Sequence, residues 1–263
     1  MPLTASVRLA SRRIRGILTA VGKRGYFARD IARGVRDPAT WMPETIRQMR
    51  TIGVDSIPLT VIVAGFLGGV TAFQTRYQLF PGVQLSVVGL IARQSIVLEL
   101  GPLLTGLVLT GRVGARMTAE IGTMRVTEQI DALETLSFDP VAYLALPRFL
   151  AGIVMLPALT ILANATAILS AWATLVLATD VRTDDFVSGL RLAFTAFQVV
   201  YSLIKAFCFG AAIAFVCSYE GYVTEAGAEG VGRSTALAVV IASVSILVLD
   251  AIVAAVFAPF IQA

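Results

Sequence analysis

The sequence predicts an all-α integral membrane protein: an N-terminal amphipathic helix at the membrane surface, five transmembrane helices, and a charged helix between the second and third. Three observations carry that expectation. Of 263 residues, 57% are hydrophobic and 14% are charged, with a mean hydropathy of +0.81; a soluble domain carries about 25% charged residues. Five runs are almost free of charge and long enough to cross a hydrocarbon layer, which takes about 20 apolar residues. Basic residues crowd one end, with eleven of the 21 Lys and Arg before residue 56. The expected organisation is a basic interfacial region over residues 1–55 and a five-span domain over residues 56–263.

In the N-terminal region Val7, Ala10, Ile14, Ile17 or Leu18, and Val21 recur at three- and four-residue steps, with Arg8, Arg12 and Arg15 on the other side. That pattern fits a helix lying on anionic lipid. A signal peptide would need an apolar core after its basic stretch, and none follows. A nucleic-acid-binding arm would account for the charge but not for the apolar stripe, so no nucleic-acid partner is expected. Trp41, Pro43 and the Ile46, Met49, Ile52 spacing predict a second helical piece leading into the first span.

The spans follow from the uncharged runs: Ser56–Thr75, Gln94–Gly114 with Glu99 inside it, Phe149–Thr179, Leu192–Tyr219 with Lys205, and Ser234–Ala263 with Asp250. Gly65, Gly68 and Gly69 in the first run include a Gly-x3-Gly pair, a device for close helix approach in membranes. Loops rich in Lys and Arg favour the cytoplasm. The N-terminus is therefore expected inside, and five crossings put the C-terminus outside.

Gly101–Leu136 starts as an apolar span and ends as a charged helix, with a small-residue hinge expected at Gly111–Ala115. Over Thr127–Leu136, Ile130, Leu133 and Leu136 share a face, while Glu128, Asp131 and Glu134 project elsewhere; Asp139-Pro140 is expected to stop this helix. A short acidic amphipathic helix between two spans suits insertion into a groove on a partner, or serves only as a solvated connection.

Ionisable residues inside a membrane are costly and are functional candidates by default. At about 1.5 Å per residue, Glu99, Lys205 and Asp250 each lie about 21–25 Å from the cytoplasmic ends of their spans. They form either a polar floor for a lipid head group or a structural Lys205–Asp250 pair. The chain has no His, which removes the usual acid–base residue. Cys208 and Cys217, nine residues apart on one helix, are about 13 Å apart, too far for a disulfide, and read as packing residues. A phosphate loop needs Gly-x4-Gly-Lys-Ser/Thr. The one Gly-Lys here, Gly22-Lys23, has Ile17 and Arg24 at the flanking positions. An ATP motor would be a separate chain.

The run ELGPLLTGLVLTGRVGARMTAEIGTMRVTEQIDALETL (Glu99–Leu136), followed by Asp139-Pro140 and Pro147-Arg148-Phe149, resembles the MlaE/YrbE permeases of lipid-transporting ABC systems that work with MCE proteins. The resemblance extends from the N-terminus to Leu249-Asp250. It implies a permease dimer, either a homodimer or a heterodimer with a paralogue, in the bacterial inner membrane. It also implies a cytoplasmic ABC ATPase dimer carrying ATP and Mg, MCE-domain proteins on the outer side, and a lipid substrate, with no cofactor bound by this chain. The segment of about residues 125–138 is then the coupling helix, with Arg125, Glu128, Ile130, Asp131, Leu133 and Glu134 as docking residues. Glu99, Lys205, Asp250 and Leu98 are the substrate-pocket candidates. Leu98 stands where the family pattern has an arginine, so that arginine's contact to an acidic head group is not supplied here. A permease performs no bond chemistry. The competing expectations are a proton-coupled secondary transporter relaying through Glu99, Lys205 and Asp250, and a non-transporting membrane scaffold for an extracytoplasmic complex.

Overall fold

The structure, a computed structural model, describes residues 3–36, 38–225 and 227–262, with side chains described except at residues 3–17, 20, 39, 40, 261 and 262. The described residues form eleven α-helices and no strand. Five helical stretches are long and apolar enough to cross a membrane: Trp41–Gln78, Ser86–Val126, Val141–Ala178, Ala196–Tyr222 and Ala228–Phe260. The expected five spans are therefore present; the first three helices outrun the uncharged stretches that announced them, while the fourth begins at Ala196 rather than Leu192. Charges end an apolar run, whereas a helix can continue through the head-group layer.

Helix α1 (Leu3–Gly34) and α2 (Pro38–Ile52) precede α3 (Ile57–Gln78), with one 3-10 turn, Val54–Ser56, joining α2 to α3. The side chains of Val7, Ala10, Ile14 and Ile17, and of Arg8, Arg12 and Arg15, fall outside the described residues. Further along α1, Leu18 and Val21 are exposed while Phe27 and Ile31 are buried. Phe27 packs on Phe215, Tyr219 and Tyr222, with ring centroids 5.5–5.9 Å apart. Arg24 ties the same helix to Glu220 at 2.8 Å.

The second span is a continuous helix of three pieces: α4 (Ser86–Ser95), α5 (Gly101–Leu109) and α6 (Ala115–Val126), with π turns at Ile96–Leu100 and Thr110–Gly114. Proline accounts for the first π turn. The ring of Pro102 would clash with the Leu98 carbonyl and it offers no N–H, so the helix widens and the Gly101 N–H reaches back to Ile96 O. The same arrangement recurs at Val141–Ala145, just before Pro147. The hinge expected at Gly111–Ala115 is not a break. Gly114 instead gives Cys217 room to pack, since a Cβ there would lie 2.8 Å from its sulfur.

α7 (Gln129–Thr135) follows a left-handed Glu128 (φ 59°). The expected single helix is thus split into two, and it ends at Thr135, before Asp139-Pro140. Asp139 serves the next helix instead. Its Oδ1 accepts the N–H groups of Val141 and Ala142 at 2.9 and 3.2 Å, capping the start of the third span. α8 (Leu146–Ala178), α9 (Thr183–Arg191), α10 (Ala196–Tyr222) and α11 (Ala228–Gln262) complete the chain.

Small residues set the packing. In α3, Ala64, Gly68 and Ala72 recur every fourth residue and are buried, facing a matching Ala163, Ala167, Ala171 row in α8. In lipid there is no hydrophobic drive between helices, so contact comes from backbones approaching closely. Ser170 Oγ donates to Gly65 O at 2.6 Å across the same seam. Thus Gly68 and Gly69 pack on a helix of the same chain, while the Cβ position of Gly65 is open. α8 and α10 meet through Gly152 and Gly210. Outward faces are apolar, with Ile62, Phe66 and Val70 in α3 and Val240, Val244 and Val248 in α11 all exposed. Both cysteines are free.

Two ends result. The basal end holds α1, α2, α6, α7 and the start of α8. At the distal end α4 packs on α9, where Gly89 and Gly189 each fill the space a partner Cβ would need. Also at this end, Arg76 donates two hydrogen bonds to Asp180, at 2.8 and 2.7 Å, which hold the Asp180 carboxyl below the ordinary carboxylate range.

A Gly68→Leu substitution would drive a side chain into the Ala167 backbone. It is expected to destabilise the protein by about 1–3 kcal/mol, read as a lowered Tm in detergent. Gly65→Ala, facing open space, should leave Tm unchanged.

Candidate functional site: a three-helix ion cluster

Three ionisable residues from three spans meet at one point. Lys205 Nζ lies 2.6 Å from Glu99 Oε2 and 2.8 Å from Asp250 Oδ1. The Tyr201 ring, one turn earlier on α10, closes a further side with its centroid 4.9 Å from Nζ. The lysine has two carboxylate partners, on the second and fifth spans, so the expected Lys205–Asp250 pair is half of a triad.

Local structure explains the aim of each group. Glu99 sits in the π turn made by Pro102, where the widened helix shifts the angular position of every side chain after it. Asp250 is the one charge of α11 beyond Arg233, and Lys205 the one charge of α10 before Glu220. Nearby, Asn164 Nδ2 donates to Ser202 Oγ at 3.2 Å. Asn164 Oδ1 is buried beside Gly101 and has no hydrogen-bond partner among the described residues.

Burial is unequal. The Lys205 side chain is 0% exposed, Asp250 is 19% and Glu99 is 46%. One ammonium faces two carboxylates, and the open member of the cluster is the Glu99 carboxylate. Leu98 beside it is half-buried and adds no charge. The arrangement can accept hydrogen bonds from, or pair with, a donor that enters beside Glu99.

A second constellation lies at the basal end. Ile130 is fully buried against Ile121 and Leu144, and Leu133 is half-buried with them. Leu136, expected on the same face, is 69% exposed. The apolar face of α7 is therefore spent on its own bundle. Arg125 binds Asp131 at 2.6 Å and lies over the Tyr222 ring at 6.0 Å. What α7 presents outward is Glu128, Asp131 and Glu134, all exposed.

Other charged contacts were not foreseen. Arg148, 3% exposed, donates to Leu144 O at 2.7 Å and pairs with Glu120 at 3.2 Å; Glu120 also holds Arg116 at 2.7 Å. Arg93, 4% exposed, donates to Gln198 Oε1 at 2.6 Å and to the Leu192 carbonyl at 3.0 Å, joining α4 to the loop before α10. The i, i+4 spacing of Arg116 and Glu120 was a visible signal. The Arg93–Gln198 pair crosses 105 residues of sequence and left none.

The family model described as Permease MlaE matches residues 45–256, from the first span into the fifth. A probable ABC transporter permease protein of Rickettsia bellii is 34% identical over 259 residues, 98% of this chain and 99% of the relative. The intermembrane phospholipid transport system permease protein MlaE of Haemophilus influenzae is 31% identical over 241 residues, 90% of this chain and 91% of its own length. A probable ABC transporter permease of Synechocystis is 37% identical over 207 residues, 78% of each chain.

Removing one partner of a buried ion pair leaves an uncompensated charge and costs about 3–5 kcal/mol. Lys205→Met is expected to lower stability by that order, because both carboxylates lose their counter-ion. Adding Asp250→Leu should restore only part, since Glu99 stays unpaired. Lys205→Met with Asp250→Leu and Glu99→Gln should restore most of it. Thermal unfolding of the detergent-purified protein reads the series.

Proposed function

The chain belongs to the MlaE permease family, and from that premise we propose that it is the membrane-embedded permease subunit of an ATP-driven lipid transporter. The observation that carries this reading is the extent of the match, which takes in part of every span and all of α7. In this reading two copies, or this chain and a paralogue, sit in the bacterial inner membrane on a cytoplasmic ABC ATPase dimer with ATP and Mg. MCE-domain proteins stand on the outer side. The N-terminus and basal end are cytoplasmic, the C-terminus and distal end extracytoplasmic.

The mechanism is mechanical. α7 is bolted to the bundle through Ile130, so a push on its acidic outer edge moves the base of the second span (Ile121), the third (Leu144) and the fourth (Tyr222) together. Arg125 and Asp131 keep α7 rigid at its hinge with α6. Further up the same helices, the second and fourth spans carry Glu99 and Lys205, so relative movement of those spans alters the ion cluster. The cluster serves as the polar wall of the lipid pocket. With two carboxylates to one ammonium, and Leu98 where a cation would otherwise stand, its open edge suits a hydroxyl or ammonium of a head group better than a phosphate.

The proton-relay alternative uses the same three residues but needs no ATPase. Lipid transport by the reconstituted complex should require ATP and persist when the proton gradient is collapsed; the opposite pattern would favour the relay. The charge-free triple variant should regain stability yet stay inactive, because no carboxylate faces the head group. Wild-type transport by that variant would reduce the cluster to a structural role.

Glu128→Lys with Glu134→Lys reverses the outer edge of α7 and leaves the Arg125–Asp131 pair in place. Co-purification of the ATPase should fall at least about tenfold, about 1.4 kcal/mol of binding, with membrane insertion unaffected. Undiminished ATPase binding would sink the coupling assignment.

Orientation is tested by cysteine labelling in a background lacking Cys208 and Cys217. Ser137→Cys should react only from the cytoplasm and Asp184→Cys only from outside. Ala226, the other cytoplasmic position of interest, falls outside the described residues. Inverted labelling would mean the chain is inserted the other way round.

A further inference from the structure

We propose that the cleft between the basal ends of the fourth and fifth spans binds the zwitterionic head group of an aminophospholipid, phosphatidylethanolamine, with an acyl chain lying along α11.

The cleft follows from how the chain turns. α10 ends at Tyr222 and α11 begins at Ala228, with Gly227 between them in the left-handed region (φ 94°), where a side chain would be strained. In the first turn of α11, Gly230 comes so close to Glu225 that a Cβ there would lie 2.4 Å from the Glu225 carbonyl oxygen. The backbone of Glu225 is thereby held against α11. Between the two helix ends is a cavity of about 220 Å³, lined by Glu220, Val223, Glu225, Arg233, Ser234 and Leu237. One water needs only about 10–15 Å³, so this space admits a head group.

The charges around it are unmatched. Glu220 already has a partner, since its Oε1 accepts from Arg24 at 2.8 Å. Glu225 and Arg233 are both exposed, and neither side chain has an ion pair or hydrogen bond among the described residues. One free carboxylate and one free guanidinium thus line the same cavity without meeting each other. A molecule that carries both an ammonium and a phosphate satisfies both at once. Arg233 offers the planar fork that phosphate oxygens match bidentately, and Ser234 adds a hydroxyl. Glu225 accepts hydrogen bonds from the ammonium. That ammonium is a primary one: quaternary choline is recognised by aromatic faces, and no aromatic residue lines the cavity. A purely anionic head group would leave Glu225 unmatched.

Depth and polarity favour a lipid over a soluble zwitterion. At about 1.5 Å per residue, Glu220 is about 23 Å below Lys205 and Arg233 about 26 Å below Asp250. No charged residue intervenes on either helix. The cleft is therefore the first charged level below the hydrocarbon at the basal end. Above it Leu237, Val240 and Val244 recur at three- and four-residue steps on α11 and are exposed, a track for an acyl chain. The site depends on the five spans alone, and on neither the transport reading nor the triad.

The test is site-resolved crosslinking in the intact complex. Phosphatidylethanolamine, phosphatidylcholine and phosphatidylglycerol, each with the same photoreactive acyl chain, are reconstituted with it in nanodiscs. After illumination, crosslinked peptides are identified by mass spectrometry, so that lipid held at the ion cluster does not contribute to the signal. In wild type, phosphatidylethanolamine should crosslink at Leu237–Val244 in excess over the other two. Arg233→Gln and Glu225→Gln, each at an exposed position without a partner, should each cut that excess about fivefold, equivalent to about 1 kcal/mol. Glu225→Lys should transfer the preference to phosphatidylglycerol, because the cavity then presents two cations. Excess soluble phosphoethanolamine should not reduce the crosslinking. Equal crosslinking of the three lipids in wild type, or an unchanged excess in both Gln variants, overturns the proposal. Displacement by phosphoethanolamine overturns it too, making the cleft a site for a soluble zwitterion.

Discussion

A fully buried ammonium in the middle of a membrane bundle dictates much of this structure. Lys205 has no water to turn to, so its charge must be met by protein, and it is met from two other helices at 2.6 and 2.8 Å. The second, fourth and fifth spans are thereby fixed in rotation and in depth at one point. Small-residue packing alone is more permissive: the alanine and glycine rows of α3 and α8 repeat every fourth residue and would tolerate a slip of one turn. An ion cluster does not repeat. Apolar contacts bring the helices close, and the triad selects one register from those that closeness allows.

The same reasoning explains what could be read from the sequence. Five spans, a helical N-terminal region and the similar positions of Glu99, Lys205 and Asp250 along their helices follow from one-dimensional quantities: run length, charge placement and rise per residue. The meeting of those three residues was foreshadowed by their shared depth. Which carboxylate Lys205 would choose was not, because azimuth around a helix depends on turns that depart from ideal. Pro102 widens the second span at the very turn that carries Glu99. A periodicity extrapolated through that turn as α-helix points the carboxylate elsewhere. The same limit applies at α7, where a left-handed Glu128 rotates the short helix so that Ile130 faces inward and Leu136 outward.

Asp139-Pro140 shows another kind of ambiguity. The pair reads as a helix stop, and the chain does stop being helical before it. Physically, though, Asp139 belongs to the helix that follows, because a carboxylate ahead of a helix satisfies its unpaired N–H groups. Composition marks a boundary without saying which side owns the residue. Arg93, Gln198, Arg148 and Glu120 were illegible for a simpler reason. Their partners lie far away in sequence, and a single arginine near a membrane surface looks the same whether it is solvated or buried.

These features combine into a division of labour along one helix. The second span passes from its distal contact with α9, through the triad, past the arginines at the basal surface, to the hinge that holds α7. It widens twice on the way, at Ile96–Leu100 and Thr110–Gly114. π turns often occur at functional sites, because one loosened turn can be taken up or released without breaking the helix. Here one of them carries Glu99 and the other carries Arg112. A force applied at α7 would travel a rod that is stiff except at these two turns. An acidic side chain and a basic one thus sit at the two places where this helix can adjust.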